Sequence, residues 1–305
     1  MDKFAPSTSA SRTEFAATGD GLRLAVEAHG ADSAPTLLFA HGFGQTRRAW
    51  TGAAATLAAR GCRCVSFDAR GHGESDPLPG GSYHMQQFAD DMLMLARAQP
   101  APPILVGASM GGLLGLVAAG ETRPAPFRAL VLVDITPRWE TRGVERILAF
   151  MQAHPDGFAG YAEAAEEIAV YLPQRSGRKS EEQLRPLLRE GVDGRLRWHW
   201  DPALLGGDLV QESERYQPRL LAAAARVDVP VLLLSGERSD VVSHATVAEF
   251  LQLVPHARHV EVAGATHMLA GDANDAFTRE IAGFIHSLDD ADARPGARIA
   301  RPQQA

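Results

Sequence analysis

The sequence predicts an α/β fold, a mostly parallel sheet with helices packed against it and one inserted helical segment. Three observations predict it. Short apolar runs fall at 36–40, 64–67, 104–106, 130–133 and 231–234, with a weaker one at 259–262. Several are apolar at every position, as strands buried on both faces are. Helical stretches lie between many of them, at 53–59, 85–98 and 113–119, which is the rhythm of βαβ units. That rhythm stops once, over 138–218, where no strong strand signal appears and Val144, Ile147, Leu148 and Met151 share one helical face.

Taken in order, residues 1–13 are rich in Ser, Thr and Ala and are expected to be disordered. Alternating segments near 14–17 and 22–27 predict an antiparallel hairpin at one sheet edge. The core is expected to comprise 14–137 and 219–288, with 138–218 as a helical cap. Residues 289–305 mix charge, Pro, Gln and Gly without apolar periodicity and are expected to form a disordered tail.

Composition narrows the function classes. The chain has 305 residues, 45% hydrophobic, enough for one large core with an accessory segment. A net charge of −7 argues against nucleic acid or anionic membrane surfaces as partners. No apolar run approaches the roughly 20 residues of a membrane span, and the first dozen residues lack the apolar stretch of a signal peptide. The expectation is a cytoplasmic location; nothing in the sequence sets the oligomeric state. The cysteines, Cys62 and Cys64, sit two apart on a strand and point the same way, so a bridge between them is not expected. A lone C-x-C lacks the second pair of a metal site.

The chemistry centres on Gly107-Ala108-Ser109-Met110-Gly111. The motif alone is a weak signal, but here it lies between a strand and a helix, so Ser109 occupies a strand-to-helix turn. Flanking glycines allow the chain to fold back, and the helix N-terminus favours developing negative charge. Serine needs a base to take its proton. His267, on a loop after the last apolar run, fits as the base, and Asp240, after the run at 231–234, fits as the acid that orients it. Asp134 also ends a strand and is the rival for the acid, with a bland reading as a turn residue ahead of Pro137. Singly, Ser109 reads equally well as a helix cap, Asp240 as a turn residue and His267 as a loop histidine. Their order and strand context together favour a triad. The oxyanion donors expected are the N–H groups of Met110 and of Phe43, in His41-Gly42-Phe43-Gly44-Gln45. Among the cap aromatics Trp139, Phe158, Tyr161, Trp198 and Trp200, the candidates for substrate contact are Trp139, Trp198 and Trp200, although such residues more often serve as core. No Walker A or H-E-x-x-H pattern occurs, and no cofactor or metal is expected.

Over roughly 14–288 the chain resembles the α/β-hydrolase superfamily. Besides the triad motifs, the run Asp68-Ala69-Arg70-Gly71-His72-Gly73-Glu74-Ser75 resembles the family's D-x-R-G-x-G-x-S turn, His41-Gly42 its oxyanion loop, and Trp50 stands where the family's next helix has one. The resemblance implies an eight-stranded sheet with a cap inserted after the sixth strand. Thr266 departs from the glycine common before the histidine. Ser109 argues against the branches with an Asp nucleophile, epoxide hydrolases and haloalkane dehalogenases. Met268-Leu269 argues against C–C bond hydrolases, which typically carry Trp after the histidine. The expected activity is hydrolysis of a carboxylic ester of a small, largely apolar substrate through an acyl-enzyme. Lactonase, thioesterase, C–C hydrolase and cofactor-free haloperoxidase or perhydrolase activities stand as alternatives on the same residues, and a non-catalytic ligand receptor as the rival of another class.

Overall fold

In a computed structural model, residues 12–173, 177–206, 213–269 and 274–293 are described. β1 (Glu14–Ala17) and β2 (Arg23–His29) form the expected antiparallel edge hairpin, with Glu14 opposite Val26. β2 runs antiparallel to β4 (Arg63–Phe67). Thereafter β3 (Thr36–Ala40), β5 (Ile104–Ala108), β6 (Ala129–Val133), β9 (Val231–Gly236) and β10 (Arg258–Val262) pair in parallel. The eight-stranded order is β1-β2-β4-β3-β5-β6-β9-β10.

The central strands are apolar throughout because both faces are covered. Leu38, Leu105, Leu130 and Leu132 point into one cluster with Phe88, Met92 and Leu116. Those come from α2 (Met85–Arg97) and α3 (Met110–Glu121). The alternate residues Leu37, Phe39, Ile104, Val106 and Val131 point into the other, against Leu57, Phe277, Ile281 and Phe284. These belong to α1 (Thr51–Ala58) and the helix Asn274–Ala293. Fully burying each such side chain contributes about 1.5–3 kcal/mol. Cys62 and Cys64 are buried and unbridged.

Between β6 and β9 lie α4 (Thr141–Gln152), α5 (Tyr161–Tyr171), single turns at Glu181–Leu184 and Ala203–Gly206, and one element the sequence reading lacked. This is a hairpin of β7 (Leu188–Glu190) and β8 (Leu196–Trp198), whose three-residue strands are too short to display alternation. The segment has an apolar cluster of its own, around Phe158, Ile168, Leu184, Leu188 and Leu196. The expected boundary at 218 falls inside the helix Gln217–Ala224, which packs on α3 so closely that a Cβ on Gly120 would stand 2.1 Å from the Ala223 carbonyl oxygen. The last helix continues past 288 to Ala293. Residues 1–11 and 294–305, the greater part of the expected disordered ends, lie outside the described residues.

The turn after β4 is a scaffold. The fully buried Asp68 carboxylate accepts the Arg47 N–H (2.7 Å) and Glu74 N–H (2.9 Å) and pairs with the Arg47 guanidinium. Ser75 Oγ donates to the Asp68 carbonyl at 2.6 Å. Arg70 forks onto Asp91 at 2.7 Å through both Nε and Nη2. A removed partner here would leave an uncompensated buried charge, so the turn is rigid.

Candidate active site

Ser109 sits where β5 turns into α3, with φ 46° and ψ −117°. A side-chain-bearing residue holds that conformation only where the surroundings dictate it, at a cost of about 1–3 kcal/mol. Here the elbow is locked from both sides. The Ser109 N–H donates to the Val133 carbonyl (3.1 Å), while its own carbonyl accepts from Gly112 (2.9 Å) and Leu113 (3.1 Å). The flanking glycines are sterically required: a Cβ on Gly107 would lie 2.6 Å from the Gly111 carbonyl carbon, and one on Gly111 would lie 2.4 Å from the Ala40 oxygen.

Asp134 follows directly on Val133, so the bond from Ser109 also fixes where Asp134 begins. It is fully buried, with φ 50°. Its N–H continues the ladder to Leu234 (2.7 Å), which aims the carboxylate across the end of β9. There Oδ1 accepts the Gly236 N–H at 2.7 Å, and Oδ2 accepts the Ser239 hydroxyl at 2.5 Å. Oδ2 also lies 2.8 Å from His267 Nδ1. An ionised carboxylate only accepts, so Nδ1 carries the proton and Nε2 is left as the basic nitrogen. Gly236 admits the histidine loop, since a Cβ there would stand 2.6–2.7 Å from the carbonyl oxygens of Ala265 and Thr266.

This corrects the expectation that Asp240 orients His267. Asp240 instead faces Arg146 of α4, at 2.8 Å from Nε and 2.6 Å from Nη2, with its side chain about a third exposed. The loop after β9 supplies a hydroxyl, Ser239, in place of a carboxylate, and the carboxylate that meets His267 is that of Asp134, directly after the neighbouring strand β6. Ser239 escaped the sequence reading because its signal is a contact 105 residues away in sequence.

Ser109, Phe43 and Met110 line a single cavity of about 150 Å³. Its other described wall residues are apolar except for Tyr216: α2 gives Met85 and Phe88, α3 gives Leu113 and Leu114, and α4 gives Val144, Ile147 and Leu148. The Phe43 and Met110 N–H groups have no hydrogen-bond acceptor among the described residues. Both residues line the same cavity as Ser109, and N–H groups free there can receive a developing oxyanion. Of the three aromatic candidates, Trp139 lines the cavity. Trp198 and Trp200 do not: their rings stack on each other (centroids 4.8 Å apart, 12° between planes), with Trp198 against Phe150 and Phe158. Phe158 is core, and Tyr161 stands under the Arg185 guanidinium. Aromatic area of that size is consumed where neighbours can stack on it.

Three histidines, His41, His72 and His199, are buried. Burial pushes all three imidazoles below their ordinary range, His199 to about 3, and His72 is lowered further by its imidazole neighbours. They are neutral at physiological pH. Among the described residues no group of three or more His, Cys, Asp or Glu side chains is disposed to hold a metal ion, and no helix is long and apolar enough to cross a membrane.

A family profile described as the α/β hydrolase fold matches residues 35–273. The 2-(acetamidomethylene)succinate hydrolase of Mesorhizobium japonicum is 30% identical over 257 residues, covering 83% of this chain and 88% of that protein. The 3-hydroxybutyrate-oligomer hydrolase of Cupriavidus necator is 32% identical over 252 residues, covering 76% and 82%. Among solved structures, that of an E-2-(acetamidomethylene)succinate hydrolase superposes with a TM-score of 0.78 at 27% identity, covering 90% of this chain and 99% of that one.

Proposed function

The chain belongs to the α/β-hydrolase family, and we propose that it hydrolyses carboxylic esters of small, uncharged, largely apolar acids or alcohols through an acyl-enzyme on Ser109. The observation that carries this reading is that Ser109, which lines an apolar cavity, is hydrogen-bonded to Val133, and the next residue, Asp134, holds His267. Ser109 Oγ attacks the ester carbonyl while His267 Nε2 takes its proton. Phe43 and Met110 N–H groups hold the oxyanion. The alcohol leaves with the proton from His267, and water, activated by the same nitrogen, then releases the acid. Asp134 holds the productive tautomer and stabilises the imidazolium. The described part of 138–218 acts as a cap, with α4 and Trp139 forming part of the cavity wall.

The lining supports an uncharged substrate. A dicarboxylate such as the succinate in the name of the Mesorhizobium relative would meet no Lys, Arg or His among the described lining residues, and an unpaired buried carboxylate is strongly disfavoured. The test is turnover of p-nitrophenyl esters of graded acyl length beside lactone, acyl-thioester and succinyl ester substrates. Sustained turnover of short and medium acyl esters, lost in Ser109→Ala, is expected. Stoichiometric labelling of Ser109 by a fluorophosphonate without turnover of any substrate would instead favour a ligand-binding role.

A further inference from the structure

His199, which lies in the segment inserted between β6 and β9, is far in sequence from the residues of the proposed reaction, yet it is 4% exposed and its ring reaches the oxyanion loop. Three consecutive peptide groups of that loop are each held by one imidazole. His41 Nδ1 lies 2.8 Å from the Gly42 carbonyl oxygen, which shares a peptide plane with the Phe43 N–H. The Gly44 N–H donates to His72 Nε2 at 3.1 Å, fixing the Phe43–Gly44 plane. His199 Nε2 lies 3.2 Å from the Gly44 carbonyl oxygen, fixing the Gly44–Gln45 plane.

The other nitrogen of each ring engages the rigid turn after β4. His41 Nε2 accepts the Ala69 N–H (2.9 Å), His72 Nδ1 donates to the Arg70 carbonyl (3.1 Å) and His199 Nδ1 accepts the Gly73 N–H (2.9 Å). These partners fix every tautomer: a nitrogen that accepts an N–H is bare, so its partner nitrogen carries the proton and donates to the carbonyl. Each imidazole is therefore a strut with one donor and one acceptor end, joining the loop to the turn. The rings stand together, His72 5.1 Å from His41 and 6.2 Å from His199 between centroids.

We propose that His199 is a positioning residue for the Phe43 oxyanion donor, completing with His41 and His72 a clamp of three neutral imidazoles that ties loop 42–45 to turn 69–73. This rests on the reading of Phe43 N–H as an oxyanion donor. It also makes the cap a part of the catalytic framework, since the third strut comes from the inserted segment. Burial preserves the arrangement, because an imidazolium has no acceptor nitrogen and would lose one bond of its strut.

The test separates the two ends of the strut. In His199→Gln the side-chain amide can place an N–H where Nε2–H stands and keep the Gly44 bond. In His199→Asn the oxygen can take the place of Nδ1 and keep the Gly73 bond, so the turn stays intact while the loop is released. Ester turnover by the parent enzyme that disappears in Ser109→Ala establishes the underlying reading first; with no turnover at all, that reading and the clamp fall together. Displacement of an oxyanion donor by about an ångström costs on the order of 10–100-fold in rate. That loss is expected in kcat for His199→Ala and His199→Asn, with KM within about twofold and with affinity for a trifluoromethyl ketone falling in parallel. His199→Gln is expected to recover kcat to within about threefold of the parent. Equal kcat in the Asn and Gln variants, a kcat in His199→Asn within threefold of the parent, or a loss confined to KM would overturn the proposal.

Discussion

Replacing Asp134 by Asn tests the assignment of the acid, and the structure sets the size of the effect. The carboxylate is fully buried and accepts three hydrogen bonds, from Gly236 N–H, Ser239 Oγ and His267 Nδ1. An amide of the same shape can keep its oxygen on Gly236, which places NH2 against Ser239 and His267. Nδ1 must then turn a bare nitrogen to it, the proton moves to Nε2, and the base can no longer take a proton from Ser109. A triad acid changed to its amide costs up to about 10⁴-fold in kcat, or about 5.4 kcal/mol of transition-state stabilisation at 1.36 kcal/mol per decade. The control is Asp240→Asn. Its carboxylate is paired with Arg146 at the surface, an interaction contributing about 0–1 kcal/mol, so kcat should stay within about twofold of the parent. The assay is kcat on the best p-nitrophenyl ester for both variants, each shown to melt cooperatively. A nearly dead Asp240→Asn beside an active Asp134→Asn would refute the reasoning and return the acid to the loop after β9.

Ser239→Ala removes the hydroxyl that donates to Asp134 and accepts from the N–H groups of Val241 and Val242. Stability should drop by about 1–3 kcal/mol and kcat by about tenfold, measured by denaturant unfolding and steady-state kinetics; an unchanged kcat would show that the carboxylate needs no such support. Trp139→Ala opens the cavity wall and should move the preferred acyl chain to greater length, each added methylene gaining up to about 0.8 kcal/mol, or about fourfold in kcat/KM. An unshifted length profile would place Trp139 outside the substrate's reach. Stability should also fall on mild acidification. His41, His72 and His199 bind protons less readily folded than unfolded, so the unfolded chain gains protons the fold refuses as pH drops below about 6.5. Their contribution is therefore complete above that pH and is lost progressively below it, for His199 down to about 3. Asp91, raised by burial, acts in the opposite sense in the carboxylate range. The fall in Tm between pH 7 and 5.5 should be smaller in His199→Gln than in the parent, and an equal fall would mean that this histidine does not resist protonation.

The sequence by itself determined what is carried by local pattern. Apolar runs of strand length with helical stretches between them specify a parallel sheet, because a strand covered on both faces has no polar positions. Glycines on both sides of Ser109 specify the elbow, because a Cβ at Gly107 or Gly111 would collide with neighbouring backbone. The candidacy of His267 and of the Phe43 and Met110 amides follows from the ends of those same elements. Only the tertiary structure decided which carboxylate meets His267. Asp134 and Asp240 both follow strands, and they differ in which way the chain leaves the sheet: φ of 50° turns Asp134 inward across β9, while the longer loop carries Asp240 out to Arg146. Only the fold decided what the segment inserted between β6 and β9 reaches as well. Trp198 and Trp200 were conspicuous in the sequence but stack on one another, whereas the residue between them, His199, projects to Gly44 and Gly73. Nothing local marks it, because the role of a strut is defined by what stands at its two ends, and the sheet brings those ends together from 126 and 155 residues away.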